Sequence, residues 1–166
     1  VGNLISRLTP NDGGGPGTTY QYYADNQLKK TIYPTGKEVE YTYDENNNLI
    51  QIDEPLGTTT QAFDELNRLV EVTDALGRTL QYSYDPVGNL IGFTYPDAST
   101  TSYSYYPDGQ MASISDPWGN VTEGIYDPAN NLTQISYSNG TEAQLSYDPL
   151  GRMTSLTNKG PKEKDI

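Results

Sequence analysis

A chain of 166 residues with 22 acidic and 10 basic side chains carries a formal charge of −12. That charge argues against nucleic acid or an anionic membrane as the main partner, because both call for a basic surface. Cysteine and histidine are absent, which removes a disulfide framework, thiolate chemistry and the commonest general base and metal ligand. Hydrophobic residues make up 34%, and 15 tyrosines, each an apolar ring with a wet hydroxyl, fill part of the gap. No apolar run approaches the length of a membrane span, so no membrane insertion is expected, and Val1 does not open a signal peptide.

Taken in order, Gly2-Asn3-Leu4 matches Gly88-Asn89-Leu90, so the chain is expected to begin inside a repeated unit of something longer. Residues 9–17, rich in Gly and Pro, read as an insertion loop. From there a tyrosine or phenylalanine recurs at Tyr22, Tyr43, Phe63, Tyr84, Tyr105, Tyr126 and Tyr147, a period of about 21. Aligned on Leu28, Leu49, Leu69, Leu90, Met111, Leu132 and Met153, every unit has Gly or Asn two residues earlier: Asn26, Asn47, Asn67, Gly88, Gly109, Asn130 and Gly151. These are the residues that most readily take positive φ. A second such slot, eight residues after the leucine, holds Gly36, Gly57, Gly77, Ala98, Gly119 and Gly140.

Two left-handed slots about ten residues apart, with apolar alternation between them, predict strand, tight turn, strand, tight turn. The fold class is therefore all-β: about seven tandem hairpins spanning residues 1–157, and then a polar tail over 158–166. Tyrosines at i and i+2 (Tyr20/Tyr22, Tyr41/Tyr43, Tyr82/Tyr84, Tyr103/Tyr105, with Tyr126 and Tyr147 alone) point to one face. Alternation along the second strand, as in Ile50/Ile52 and Val70/Val72, predicts a tyrosine-aliphatic face opposed to a Ser/Thr/Gln/Glu face. Stacked hairpins would line these rings into ladders, a surface that packs as structure or stacks on sugars.

Asp44, Asp64, Asp85, Asp127 and Asp148 follow the tyrosine in five of seven units. Identical acids a whole unit apart are not an acid/base pair; they are expected to accept hydrogen bonds from turn N–H groups. Asp44–Asn48 alternates oxygens as a calcium loop does. Leu49 and Pro55 fall where such a loop needs Gly and Glu, so the turn reading is preferred. No catalytic, metal or cofactor site is assigned, and no enzyme activity is expected. Trp118 in the Asp116-Pro117-Trp118-Gly119 turn is the first surface residue to test.

The unit Tyr-x-Tyr-Asp-x-x-Gly-(Arg/Asn)-Leu resembles the YD repeat of the Rhs family. Tyr82-Ser-Tyr-Asp-Pro-Val-Gly-Asn-Leu90 fits it fully, and Leu145-Ser-Tyr-Asp-Pro-Leu-Gly-Arg-Met153 and Tyr41-Thr-Tyr-Asp-Glu-Asn-Asn-Asn-Leu49 fit nearly so. Departures are Tyr23 and Tyr106 in the Asp slot, Gln61 and Gly124 in the first tyrosine slot, and Ala98 in the second Gly slot; they are expected to make single hairpins less regular. The resemblance implies a curved or spiral antiparallel sheet forming part of a hollow shell, which in the family encloses a toxic domain or scaffolds adhesion. It implies a secreted or cell-surface address, and as partners the remaining repeats of a parent chain or further copies of itself. The family's Asp-rich self-cleaving segment is not found here, so autoproteolysis and toxicity are not assigned. The rival reading is a carbohydrate- or cell-wall-binding module with a glycan stacked on the tyrosines.

Overall fold

The computed structural model describes Ser6–Arg7 and residues 17–161. The expected match at Gly2–Leu4 and all of the 9–17 loop except Gly17 lie outside the described residues. Among the described residues every regular element is a strand, and each strand follows its predecessor in the sheet order. Short polar-apolar alternation punctuated by positive-φ residues leaves no stretch with the 3.6-residue period that a helix needs.

The strands are β1 (Ser6–Arg7), β2 (Thr18–Tyr22), β3 (Leu28–Ile32), β4 (Glu38–Tyr43), β5 (Leu49–Glu54), β6 (Gly57–Phe63), β7 (Leu69–Thr73) and β8 (Thr79–Tyr84). They continue as β9 (Leu90–Thr94), β10 (Thr100–Tyr105), β11 (Met111–Ser115), β12 (Val121–Tyr126), β13 (Leu132–Tyr137), β14 (Glu142–Tyr147) and β15 (Met153–Lys159). The chain divides inside β8 into two compact halves, residues 1–81 and 82–166. Both are antiparallel meanders of the same repeat. Repeats are numbered one to seven by their leucine slot, Leu28 to Met153.

The two faces come out as the alternation predicts, with one correction. Tyr41 pairs with Ile52 and Thr42 with Gln51, but Tyr43 pairs with Leu49, so Ile50 is an extra residue in the ladder. The same one-residue slip leaves Lys29, Val70, Ala112, Thr133 and Thr154 bulged in repeats one, three, five, six and seven. A bulge reverses the parity of the strand. Cross-strand partners share a face, so the leucine and the aliphatic residue three positions later, Leu49 and Ile52, both join the tyrosines, which strict alternation of Ile50 with Ile52 does not allow.

Burial is shallow. The buried hydrophobic residues among those described are Val39 and Ala143, and the buried polar ones are Thr18, Thr31 and Thr101. All five lie on the tyrosine face, Thr31 opposite Val39, Thr101 opposite Phe93 and Ala143 opposite Ile135. The polar face is tied by short side-chain bonds: Thr58 Oγ1 donates to Asp53 Oδ1 (2.6 Å), Gln81 Nε2 to Glu71 Oε2 (2.9 Å), and Ser104 and Ser113 share one at 2.7 Å. Lys30 bridges Glu38 and Glu40 across the strands. β15 runs through Lys159, with Asn158 and Lys159 paired to Ala143 and Glu142, so strand pairing extends two residues into the segment expected as a polar tail.

Candidate functional site

The most repeated chemistry lies at the turns. In repeat two, Asp44 N donates to Asn48 O (3.0 Å) and Asn47 N to Asp44 O (3.1 Å), with Asn47 at φ 69°. This is a three-residue hairpin loop, a type I turn closed by a left-handed residue. Asp44 Oδ1 accepts the N–H of Asn46 (2.9 Å) and of Asn48 (2.8 Å), and Oδ2 accepts Asn48 Nδ2 (2.9 Å). One carboxylate thus takes three donors within five residues, and the oxygens of the calcium-like stretch are employed in closing the turn.

Asp64, Asp85, Asp127 and Asp148 repeat the arrangement, with Arg68 Nε, Asn89 Nδ2, Asn131 Nδ2 and Arg152 Nε as side-chain donors. Asn26, Asn67, Gly88, Gly109, Asn130 and Gly151 hold positive φ like Asn47. The second turns of repeats three and five are built the same way on Asp74 and Asp116. Sequence reasoning passed over this pair, although the Asp-x-x-Gly spacing is there to be read. Gly57 departs from the rest: Glu54 pairs directly with Gly57 in a tighter loop, and φ is 139°.

These carboxyls are held charged. Asn48's side chain, aided by backbone N–H groups, pulls Asp44 below the usual carboxylate value, and the Arg68 and Arg152 backbone N–H groups lead the same effect at Asp64 and Asp148. Burial works against the charge at Asp85, yet the Asn89 side chain and the turn N–H groups outweigh it. Asn131 lowers Asp127 in the same manner. A carboxylate driven further from neutrality is a fixed acceptor and a poor proton-transfer group at neutral pH.

The ten expected ligand- or stack-forming tyrosines, Tyr20, Tyr22, Tyr41, Tyr43, Tyr82, Tyr84, Tyr103, Tyr105, Tyr126 and Tyr147, are all half-buried. Tyr105 and Tyr147 donate their hydroxyls to Leu90 O and Leu132 O of the preceding repeat, both at 2.9 Å. Rings meet edge to face: Tyr82 with Phe93 (5.1 Å, 70°), Phe93 with Tyr95 (4.7 Å, 80°). An edge-to-face pair presents a ring edge beside a ring face, which is the packing preferred by aromatic quadrupoles. Burial, followed by the neighbouring Tyr41, Tyr23 and Asp25, raises the Tyr43 hydroxyl pKa.

Tyr23 and Tyr106, the departures in the Asp slot, keep the turn. Each closes the same backbone pattern, Tyr23 N to Gln27 O (2.8 Å) and Tyr106 N to Gln110 O (2.8 Å). The side chain instead reaches the next repeat, Tyr23 to Tyr41 O (3.1 Å) and Tyr106 to Gly124 O (3.0 Å). Side-chain amides clasp consecutive turns as well: Gln27 Nε2 donates to Asn47 Oδ1 (2.9 Å) and Asn48 Nδ2 to Asn67 Oδ1 (2.8 Å). Ala98 adopts φ 65° with the ordinary turn bonds, so its hairpin is as regular as its neighbours. Trp118 is exposed at its turn tip.

A tandem β-hairpin array whose turn residues hold themselves and the neighbouring repeat is a repeat-built wall by class. The RHS Repeat family model matches residues 22–59, 63–100, 105–142 and 126–161, well over half of the chain, and the chain belongs to that family. Among solved structures it is similar to TcdB2-TccC3 without its hypervariable C-terminal region (17% identity, TM-score 0.67, covering 86% of this chain and 9% of that one). It is also similar to the complex TcdB2-TccC3-Cdc42 (16%, TM-score 0.58, 80% and 10%). A Photorhabdus luminescens Tc holotoxin pore matches at 16% and a TM-score of 0.55 (87% and 11%). The likeness is one of fold, and the chain spans about a tenth of the length of those chains. Among curated proteins there is no match.

Proposed function

We propose that this chain is a length of wall: a non-enzymatic scaffold within a longer, secreted or surface-exposed protein. There it helps to enclose or present a further domain, toxin-like or adhesive. The turn residues and tyrosines named above serve the wall itself, by holding loops closed and binding each repeat to the next. Its partners on this reading are further repeats of the parent chain or further copies of itself.

The observation that carries the proposal is β15. Among the described residues it is the last strand of the sheet order, all seven of its residues are exposed, and Met153 (58%) and Leu156 (53%) carry the tyrosine-aliphatic face of repeat seven. An edge with unpaired main-chain groups and exposed apolar side chains is a template for another strand. Light scattering coupled to size-exclusion chromatography tests this. The chain should grow into oligomers with concentration, and Met153→Lys with Leu156→Lys should return it to monomer. A wild-type chain that stays monomeric at every concentration defeats self-association through this edge. A defined glycan that binds, and is lost in Tyr82→Ala with Tyr103→Ala while the fold survives, replaces the wall reading with the carbohydrate-binding one.

A further inference from the structure

In repeats one and five the groove beside the first turn is walled by a tyrosine in the Asp slot, where the matching groove of repeat six has Asp127. Tyr23 and Tyr106, each anchored through its hydroxyl, meet the next repeat's tyrosine edge-on: Tyr23 with Tyr43 (6.3 Å, 88°) and Tyr106 with Tyr126 (6.2 Å, 87°). The first groove, of 420 Å³, is lined by Tyr23, Asp25, Gln27, Tyr43 and Asp44 among others. The second, of 550 Å³, is lined at matching positions by Tyr106, Asp108, Gln110, Tyr126 and Asp127. Both tyrosines in the Asp slot remain well exposed, Tyr23 at 37% and Tyr106 at 40%.

The two grooves differ in their lining at Ala24/Pro107 and Thr42/Ile125, and in charge at the neighbouring bulge. The bulged residue of repeat one is Lys29, whose Nζ lies over the Tyr23 ring, 5.4 Å from its centroid. At the bulge of repeat five stands Ala112, which has no charge to place over Tyr106. We propose that the Tyr106 groove takes the ammonium of a lysine side chain supplied by another polypeptide, in the place that Lys29 fills for Tyr23.

The chemistry fits in each part. A ring face attracts an ammonium within about 6 Å of its centroid, and the Asp108 and Asp127 carboxylates add attraction from the groove walls. Pro107 and Ile125, also in the lining, offer apolar surface to the lysine stem. The bond from Tyr106 to Gly124 O fixes the ring beforehand, which lowers the ordering cost of binding. The chain's charge of −12 draws basic partners toward it. The inference does not depend on the wall reading.

The test is an NMR titration of the full chain, labelled on its tyrosine rings, with Nα-acetyl-lysine methylamide and with its uncharged norleucine counterpart. The Tyr106 and Tyr126 resonances should shift saturably with the lysine compound only. Ala112→Lys, which supplies the amine from within as repeat one does, should weaken binding by about fivefold or more. Lys29→Ala should open the first groove, so that Tyr23 and Tyr43 respond too. The proposal is overturned by an equal response to the norleucine compound, by undiminished binding in Ala112→Lys, or by no saturable shift in the wild type. It also fails if Lys29→Ala leaves Tyr23 silent, or if butylammonium binds and a Gly-Lys-Gly peptide does not.

Discussion

Ala98 is the sharpest place to test whether the turns, and not a core, set stability. It holds φ 65° with its N–H donated to Tyr95 O at 2.9 Å, in a slot that is glycine in the neighbouring repeats. An L-residue in the left-handed region costs about 1–2 kcal/mol. Glycine there removes the strain, and loses about 0.4–1 kcal/mol of it again through the freedom it adds to the unfolded chain. Ala98 is exposed, so no packing is lost. Ala98→Gly should therefore stabilise by about 0.5–1 kcal/mol, or about 1–4 °C in Tm for a chain of this size. Gly119→Ala is the mirror experiment: φ is 83°, and an added Cβ meets nothing within 4 Å, so backbone strain is the main contribution. Urea titrations followed by circular dichroism should move the midpoint in opposite directions for the two variants, with the slope unchanged. An Ala98→Gly chain that is neutral or weakened, or a Gly119→Ala chain that is unaffected, refutes the reasoning.

Two further measurements bear on the clasps between repeats. Tyr105→Phe and Tyr147→Phe each delete a half-buried bond to the preceding repeat, at Leu90 O and Leu132 O, and should each cost about 1 kcal/mol in the same titration; a loss in neither places those hydroxyls outside the energetics. The turn aspartates give a pH dependence of fixed sign. Asp44, Asp64, Asp85, Asp127 and Asp148 are lowered in the folded chain from an ordinary 3.8, so their contribution is complete above that value and is lost as pH falls through the folded ones. The urea midpoint should hold level from neutrality to about pH 5 and fall below about pH 4; a midpoint level through pH 3 contradicts the shared role of the carboxylates.

The period, the two faces and the turn slots are legible in the chain because each is decided within about five residues: Asp44, Asn47 and Asn48 close their loop on one another. The bulge is not legible in the same way. Ile50 and Ile52 read as alternating partners, and only the pairing of Tyr43 with Leu49 shows that Ile50 is extra, a fact about two strands together. Tyr23 and Tyr106 look like flaws when each turn is read alone. Their hydroxyl partners stand 18 residues further on, so their use emerges only when the next repeat is in place. The edge-to-face ring geometry is hidden for the same reason, since i, i+2 spacing fixes a face and says nothing of ring tilt.

Shallow burial links these observations to the proposed role. With Val39 and Ala143 as the buried hydrophobic residues described, there is no deep core for a damaged repeat to lean on. Stability must then be built from terms that recur: the carboxylate that closes five of the seven first turns, the amide or tyrosine that clasps a neighbouring repeat, the leucine brought onto the tyrosine face by the bulge. Such a sheet gains by adding repeats and is weakest at its last strand, where Met153 and Leu156 have the chemistry of an interior position and the exposure of an edge. On the proposed reading, the exposed apolar face of β15 is a surface on which a further strand would pair.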